Sequence, residues 1–272
     1  MSLLDLLLAD CRHWLDGRTE LLFNERQFQA ELMAFLSSTR HYDKIYAEYS
    51  IPAEELKIRG VDIPQYDEEN KKKLRLPLPV EYPWNENIRI DIVAEKDGRY
   101  AAIELKYTTR SILDEKDAVN IFGEKLSGGS TIIKTQGAAD LGMYRYWKDV
   151  RRIEVLKKCF EACDGGLAII ITNDHYYWDT PQPSVGYAAF SLAQELPPRH
   201  GLLEWGESVG KKSPDGSETI PAKYPGFILD SSYHTEWHDT AMPFLTVKKS
   251  YPTDGGKEKC RQKFRYNIIE IN

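Results

Sequence analysis

The sequence has few cysteines, and their spacing excludes two common roles. Its four cysteines, Cys11, Cys159, Cys163 and Cys260, are too sparse for the disulfide framework of a small secreted protein. None of them forms the Cys-x-x-Cys pair that is typical of structural zinc sites. Cys159 and Cys163 lie one helical turn apart, a spacing that suits simple packing. The cysteine pattern therefore indicates a protein of a reducing compartment.

Long hydrophobic runs are also absent. No stretch approaches the roughly 20 apolar residues that a helix needs to span a bilayer. The leucine-rich segment 1–8 has no basic start and contains Asp5, so we expect a helix capped by Ser2 instead of a signal peptide. With 272 residues, 42% of them hydrophobic, the chain can bury the core of one large or two modest domains. We expect a cytoplasmic protein with no membrane partner.

Two binding motifs are missing as well. No lysine follows Gly128-Gly129, which excludes a nucleotide-binding phosphate loop in this glycine-containing stretch. Glu236 lies in the wrong place between His234 and His238 for a His-Glu-x-x-His zinc motif. Ordinary structural histidines are therefore favoured over metal ligands.

Excess positive charge is lacking too, since the formal net charge is -6. Proteins that coat nucleic acid neutralise its phosphates with lysine and arginine, so any such contact here must be local. Each basic run could equally be a solvated face. The candidate residues are Lys71 to Arg75; Lys148, Arg151, Arg152, Lys157 and Lys158; and Lys257, Lys259, Arg261, Lys263 and Arg265.

What the sequence does contain is a hairpin that brings two acids together. Residues 88–95 and 100–107 both have the composition of strands, and Asp97-Gly98 is a strong signal for a two-residue turn between them. If that turn closes, Asp91 and Glu104 lie directly opposite each other. Their Cβ atoms would then be roughly 5 Å apart, and two carboxylates at that separation repel unless a cation lies between them.

A hard divalent cation such as Mg²⁺ suits this pair, because it prefers oxygen ligands and often takes only one or two carboxylates. Lys106 is two residues after Glu104 and so shares its face of the strand. The alternative is an amphipathic hairpin on which Asp91, Glu104 and Lys106 simply meet water.

Further elements can be predicted around the hairpin. Asn24 with Gln27 has the form of a helix cap, and Phe28, Leu32, Phe35 and Leu36 continue at helical spacing. Residues 44–51 predict a strand, 52–84 a long loop, and 165–172 a strand buried on both faces. A second helix is indicated by a four-residue repeat that continues through Arg152, with Tyr144 and Trp147 in the core. The repeat consists of Gln136, Asp140, Tyr144 and Lys148.

Asp91, the segment Glu104-Leu105-Lys106 and this order of elements resemble the PD-(D/E)xK nuclease superfamily. The resemblance covers residues 24–172 and departs from the family pattern at Ile90, where a proline is usual. It implies an α/β fold with a restriction-endonuclease-like core, ordered helix-strand-strand-strand-helix-strand, in which helices flank a mixed central sheet. It also implies a metal-dependent nuclease that cleaves phosphodiester bonds, usually in DNA.

The resemblance further implies roles for individual residues. Asp91, Glu104 and the Leu105 carbonyl would bind Mg²⁺, for which Mn²⁺ could substitute, and Lys106 would position or deprotonate the attacking water. The family often has a glutamate on the first helix, and Glu25 fits this position, with Glu31 and Glu48 as reserves. Stabilisation of the helix N-terminus explains Glu25 equally well. Gln136 would hold the water or a phosphate oxygen.

The C-terminal third is harder to interpret. Residues 185–192, 226–229, 244–247 and 264–271 predict strands, and 197–226 a loop rich in proline and glycine. We expect a nuclease core over residues 1–175 and a β-rich extension over 176–272 within the same domain, with a small appended substrate-binding subdomain as the alternative. A homodimer would supply the two sites that cutting both strands commonly needs, and RNA stays open as a substrate. The alternative function is a catalytically silent nucleic-acid-binding or assembly module on the same fold.

Overall fold

The computed structural model describes residues 1–64, 66–67, 72–73, 82–84, 86–120, 122–209, 220–243, 245–248 and 259–272. The α-helices are α1 Leu3–Gly17, α2 Glu25–Thr39, α3 Ala53–Ile58, α4 Ala139–Cys159 and α5 Ile220–Lys223. The strands are β1 Lys44–Ile51, β2 Tyr66–Asp67, β3 Lys72–Lys73, β4 Ile88–Lys96, β5 Arg99–Thr108, β6 Ile112–Leu113, β7 Thr131–Ile133, β8 Cys163–Thr172, β9 Arg199–Leu203, β10 Phe227–Tyr233, β11 His238–Asp239, β12 Leu245–Lys248, β13 Lys259–Gln262 and β14 Arg265–Ile271.

A mixed six-stranded sheet forms the centre of the fold, in the order β1-β4-β5-β8-β14-β11. Strands β5 and β8 run parallel, and the other neighbours are antiparallel. A parallel pair needs a long crossover, and α4 supplies it between these two strands. The prediction of an α/β protein with a mixed central sheet is thus confirmed.

Helices cover both faces of this sheet. On one face, α1 and α2 pack against the apolar side of β5, where Phe28 and Leu32 share a core with Ile103 and Leu105. On the other face, α4 packs against a second core that includes Ile170. Strand β8 is buried from residue 165 to 172, as its continuous apolar run predicts. Buried on both sides, β5 and β8 provide a rigid base for side chains at their ends.

Both N-terminal helices begin where their capping residues predict. The Ser2 hydroxyl accepts a hydrogen bond from the Asp5 N–H, and the Asp5 carboxylate accepts one from the Ser2 N–H. Asn24 caps α2 by accepting from the Gln27 N–H at 2.9 Å. Local side-chain bonds to the first free N–H groups of a helix fix these starts.

Two segments differ from prediction. Residues 52–84 are not simply a loop, because α3 lies within them and Leu56, Val61 and Tyr82 are buried in the core. Residues 185–192 do not form a strand. They turn through a 3-10 helix at Ala188–Phe190. Phe190 and Leu192 are both buried, and their spacing of two residues suits a strand equally well, which explains the error.

The remaining C-terminal predictions are mostly confirmed. Strands β10, β12 and β14 lie where the apolar runs predict them, and β14 pairs along β8 in the central sheet. The predicted loop 197–226 is wrong at its start, because β9 pairs with β10 there. Within the described part of the chain, no helix is both long enough and apolar enough to cross a membrane.

Candidate active site

The predicted hairpin forms in the predicted register. Strands β4 and β5 pair from Lys96 with Arg99 through to Ile92 with Ile103. Asp97 and Gly98 both have positive φ, +50° and +73°, as a type I′ turn requires. The pairing ends at Ile92, and one position further along the strands Asp91 falls across from Glu104, whose pKa the Asp91 carboxylate raises.

Beyond that point the two strands diverge, and carboxylates replace the missing strand partner. The Leu105 N–H donates to Asp91 Oδ2 at 2.7 Å, and the Tyr107 N–H donates to Glu25 Oε2 at 3.1 Å. Two acids from separate elements therefore occupy the opened edge of β5. Each bond uses one oxygen of its carboxylate and leaves the second oxygen for another partner.

The same opening affects β1. Glu48 has a positive φ of +52°, and it lies at the position opposite Asp91, where the paired positions of β1 and β4 are interrupted. Gln29 Nε2 bridges this gap by donating to the Asp91 carbonyl oxygen at 2.7 Å and to Glu48 Oε1 at 3.0 Å. Glu48 also pairs with Arg89 at 2.8 Å, which directs its carboxylate to the surface.

Among the three upstream acids, Glu25 is the one that joins Asp91. Glu31 instead forms an ion pair with Arg18 near α1. Burial raises the pKa of Glu25, and Lys106 and the Tyr107 N–H oppose that shift. The preference for Glu25 over Glu31 thus agrees with the packing of α2, whose first turn faces β5.

Glu104 is the most deeply buried acid of the group. Its side chain is 2% exposed, and its Oε1 has no hydrogen-bond partner among the described residues. Arg152 Nη1 lies 3.6 Å from this oxygen. Burial, followed by the neighbouring Asp149 and Asp91 carboxylates, raises the pKa of Glu104 well above its ordinary value. Burial also raises the pKa of Asp91.

Lys106 shares the face of Glu104, as strand alternation predicts. Its ammonium donates to the Leu105 carbonyl oxygen at 3.0 Å and pairs with Asp149 Oδ2 at 2.7 Å. Burial alone would lower the pKa of Lys106, but the Asp149, Glu25 and Glu104 carboxylates outweigh it and raise that pKa. The lysine is therefore held as a cation within a group of acids.

Two members of the site were not predicted as active-site residues, although Arg152 is among the basic candidates for contact with nucleic acid. Asp149 lies on α4 with its side chain 3% exposed, and Arg152, one turn later, donates to Asp149 Oδ1 at 3.2 Å. A signal for Asp149 does exist, since it lies within the buried helical stripe that contains Tyr146 and Val150. An acid inside an apolar stripe requires a buried partner, and Lys106 is that partner.

The predicted position of Gln136 is wrong. Helix α4 begins at Ala139, so Gln136 precedes the helix and is exposed. Its backbone N–H donates to the Thr109 carbonyl oxygen at 2.9 Å, and the following Gly137 has a left-handed φ of +65°. That turn separates Gln136 from the four-residue repeat. The position on α4 that reaches the site belongs to Asp149.

Other predicted features can be placed in the same structure. Tyr144 and Trp147 are buried in the core, as expected. Arg151 is buried beside Glu154, so it is not available as a surface contact for nucleic acid. Within the described ranges, no group of three or more histidine, cysteine, aspartate or glutamate side chains is arranged to hold a metal ion. The basic residues Lys71, Arg75 and Lys257 lie outside the described residues, as do the side chains of Lys72, Lys73, Lys259 and Arg261.

Three comparisons were made with known proteins. No family model matches the chain, and no curated protein and no solved structure matches it either.

Proposed function

We propose that this protein is a Mg²⁺-dependent nuclease that hydrolyses phosphodiester bonds in DNA, on a restriction-endonuclease-like core. One observation carries the proposal. Asp91 Oδ2 accepts the Leu105 N–H at 2.7 Å where β4 and β5 diverge. The residues on either side of Leu105 are the buried Glu104 and Lys106, which share one face of β5. Two carboxylates and an ammonium beside an opened strand edge are the groups that metal-assisted phosphodiester hydrolysis uses.

Asp91, Glu104 and the Leu105 carbonyl oxygen are the proposed ligands of the metal ion. The unpartnered Oε1 of Glu104 supports this assignment, because a buried carboxylate oxygen without a donor is stabilised by a cation. All three ligands are hard oxygen donors, which suit Mg²⁺ and also Mn²⁺. When bound, such an ion polarises a phosphate oxygen and lowers the pKa of its water.

The remaining residues hold the phosphate, the water or one another in position. Lys106 is an ammonium that can donate to a phosphate oxygen and stabilise the negative charge that builds up there during attack. Glu25 fixes the edge of β5 through the Tyr107 N–H, and its second oxygen can accept a hydrogen bond from water. Asp149 holds the Lys106 ammonium in position. Gln136 has no role in this proposal.

A second function has support of its own. Lys106 donates to the Leu105 carbonyl that the first proposal assigns to the metal, and Asp149 also engages it. Asp91 and Glu25 each cap an N–H of β5. The same contacts would be found in a charge network whose role is only to stabilise the fold. The alternative function is therefore a catalytically silent nucleic-acid-binding or assembly module. For either function, the nucleic acid could be RNA instead of DNA. The proposal also includes a homodimer and a cytoplasmic location.

Incubation with DNA separates the two functions. Supercoiled plasmid and short single-stranded DNA would be treated with the protein in Mg²⁺, in Mn²⁺ and in EDTA. The nuclease proposal expects cleavage in both metals, none in EDTA, and loss of cleavage in Glu104→Gln. The matched control is Glu20→Gln, an exposed glutamate with the same change of charge. Binding without cleavage in any metal would support the silent module instead.

A further inference from the structure

A pair of cations lies beside the candidate site on α4. Lys148 and Arg152 are four residues apart and therefore share one face of the helix. Both donate to the same atom, Glu86 Oε1, with Arg152 Nη2 at 3.0 Å. A single carboxylate oxygen thus occupies the space between an ammonium and a guanidinium group.

Both cations are fixed in place by the surrounding fold. The Lys148 ammonium lies over the Trp84 ring, 4.8 Å from its centroid, and Trp84 Nε1 donates to the Tyr144 hydroxyl at 3.0 Å. The Lys148 and Arg152 side chains are only 15% and 16% exposed. Because little side-chain freedom remains to be lost, this pair is preorganised to bind an anion.

Arg152 connects the cation pair to the candidate active site. Its Nη1 lies 3.2 Å from Asp149 Oδ1 and 3.6 Å from Glu104 Oε1. Its Nε is buried and has no hydrogen-bond partner among the described residues. An anion between Lys148 and Arg152 would therefore lie next to the carboxylates at the opened end of β5.

Glu86 differs from the other acids around the pair in its exposure. Its side chain is 48% exposed, whereas those of Asp149 and Glu104 are 3% and 2% exposed. The Glu86 carboxylate is therefore open to water and solutes, although its two partners are largely buried. Glu86 can therefore be displaced by a solvent-borne anion, whereas the buried acids cannot. A phosphate oxygen carries the same charge and accepts the same two donors.

We propose that Lys148 and Arg152 form a subsite for a backbone phosphate of the nucleic acid, which Glu86 occupies in the free protein and vacates when substrate binds. The inference rests on the proposed function, since it assigns a second phosphate contact to the same site. Glu86 then acts as an internal competitor, which a strand must displace before one of its phosphates can bind the pair. The rival explanation is a structural ion pair that fastens the segment before β4 to α4.

Binding measurements on the full chain distinguish these two explanations. Fluorescence anisotropy of a labelled short DNA duplex in EDTA reports affinity without cleavage, over about 50 to 200 mM salt. Glu86→Gln should lower Kd about three- to ten-fold, because it removes a like charge that competes for the same donors. Lys148→Gln should weaken binding and reduce the slope of log Kd against log salt by about one, as loss of one phosphate contact does.

Three controls accompany these variants. Glu20→Gln and Lys44→Gln make the same changes of charge at exposed positions. Both should keep the Kd and the salt slope close to those of the wild type. Lys148→Arg keeps the cation and should retain the wild-type salt slope. Thermal unfolding of each variant checks that it is folded, so a change in binding can be assigned to the subsite.

The outcomes separate this inference from the proposed function. If Glu86→Gln binds no more tightly than wild type, or Lys148→Gln keeps the full salt slope, the subsite is refuted even where cleavage occurs. If the variants shift Kd and slope as expected but no metal supports cleavage, the subsite stands and the nuclease proposal fails. A chain that binds no DNA under these conditions refutes the subsite.

Discussion

Replacing Lys106 with methionine tests how the acids of the site are held together. Methionine keeps most of the side-chain volume but removes the only ammonium that the described structure places between Asp149 and Leu105 O. At the 2.7 Å separation of Lys106 Nζ and Asp149 Oδ2, the Coulomb attraction is about 6 kcal/mol for an effective dielectric constant of about 20. Relief of the lysine's desolvation offsets part of this loss.

The net cost should be about 3 to 5 kcal/mol, which is typical when one partner of a buried ion pair is removed. For a chain of this size that is a fall in melting temperature of roughly 10 °C in EDTA. Mg²⁺ should restore much of it, because a divalent cation held by Asp91 and Glu104 would balance negative charge that Lys106 balances in the wild-type protein. We expect a larger Mg²⁺-induced rise in Lys106→Met than in wild type, together with loss of DNA cleavage.

Calorimetric or circular-dichroism melting in EDTA and in Mg²⁺ measures both effects. The control Lys44→Met changes the same charge at an exposed position and should alter stability by less than about 0.5 kcal/mol. The reasoning would be refuted if Lys106→Met melted like wild type in EDTA. An equal or smaller response to Mg²⁺ in the variant would also contradict it, because the lysine would then not be screening the proposed metal ligands.

Three further predictions concern stability. Glu154→Leu should lower the free energy of unfolding in urea by about 3 to 5 kcal/mol. Glu154 Oε1 accepts hydrogen bonds from two backbone N–H groups and a tyrosine hydroxyl of β10, and the substitution leaves these three donors without an acceptor. An unchanged urea midpoint of unfolding would contradict this. Ile169→Ala, fully buried in β8, should cost about 2 to 5 kcal/mol by the same measurement, and a smaller loss would mean that the cavity collapses. The hydrogen bonds from Lys263 and Arg265 lower the pKa of Asp239 below its ordinary 3.8, so its contribution is present above that value and lost as the pH falls through the lowered pKa. Asp239→Asn should therefore be less stable than wild type near neutral pH and approach it in acid; a constant difference in urea midpoint would oppose this.

Local interactions explain why part of this fold could be predicted from the sequence. The turn needs a left-handed φ at two positions, which aspartate tolerates and glycine adopts freely, so its place in the sequence is fixed at Asp97-Gly98. The position of a two-residue turn then sets the register of β4 and β5. The caps at Ser2 and Asn24 act over three residues. Strand β8 is indicated by its own apolar run. In each case the partners lie close in sequence, so the pattern is visible without the fold.

The segments predicted wrongly lack such local signals. Gln136 and the helix repeat share a four-residue spacing, but Gly137 adopts a left-handed conformation that ends the pattern before α4 begins. Phe190 and Leu192 have the spacing of a strand but are buried from a turn. In neither case does residue spacing alone decide the backbone conformation.

The sequence by itself therefore determined that Asp91, Glu104 and Lys106 belong to one hairpin, because a tight turn sets their register. Tertiary structure alone decided what surrounds them. Glu25 arrives from α2, and Asp149 and Arg152 arrive from α4, across separations of many residues. Their burial, and with it the raised pKa of Glu104, depends on packing of both helices against the sheet. Desolvation and charge pairing are properties of the assembled core, and no sequence window contains them.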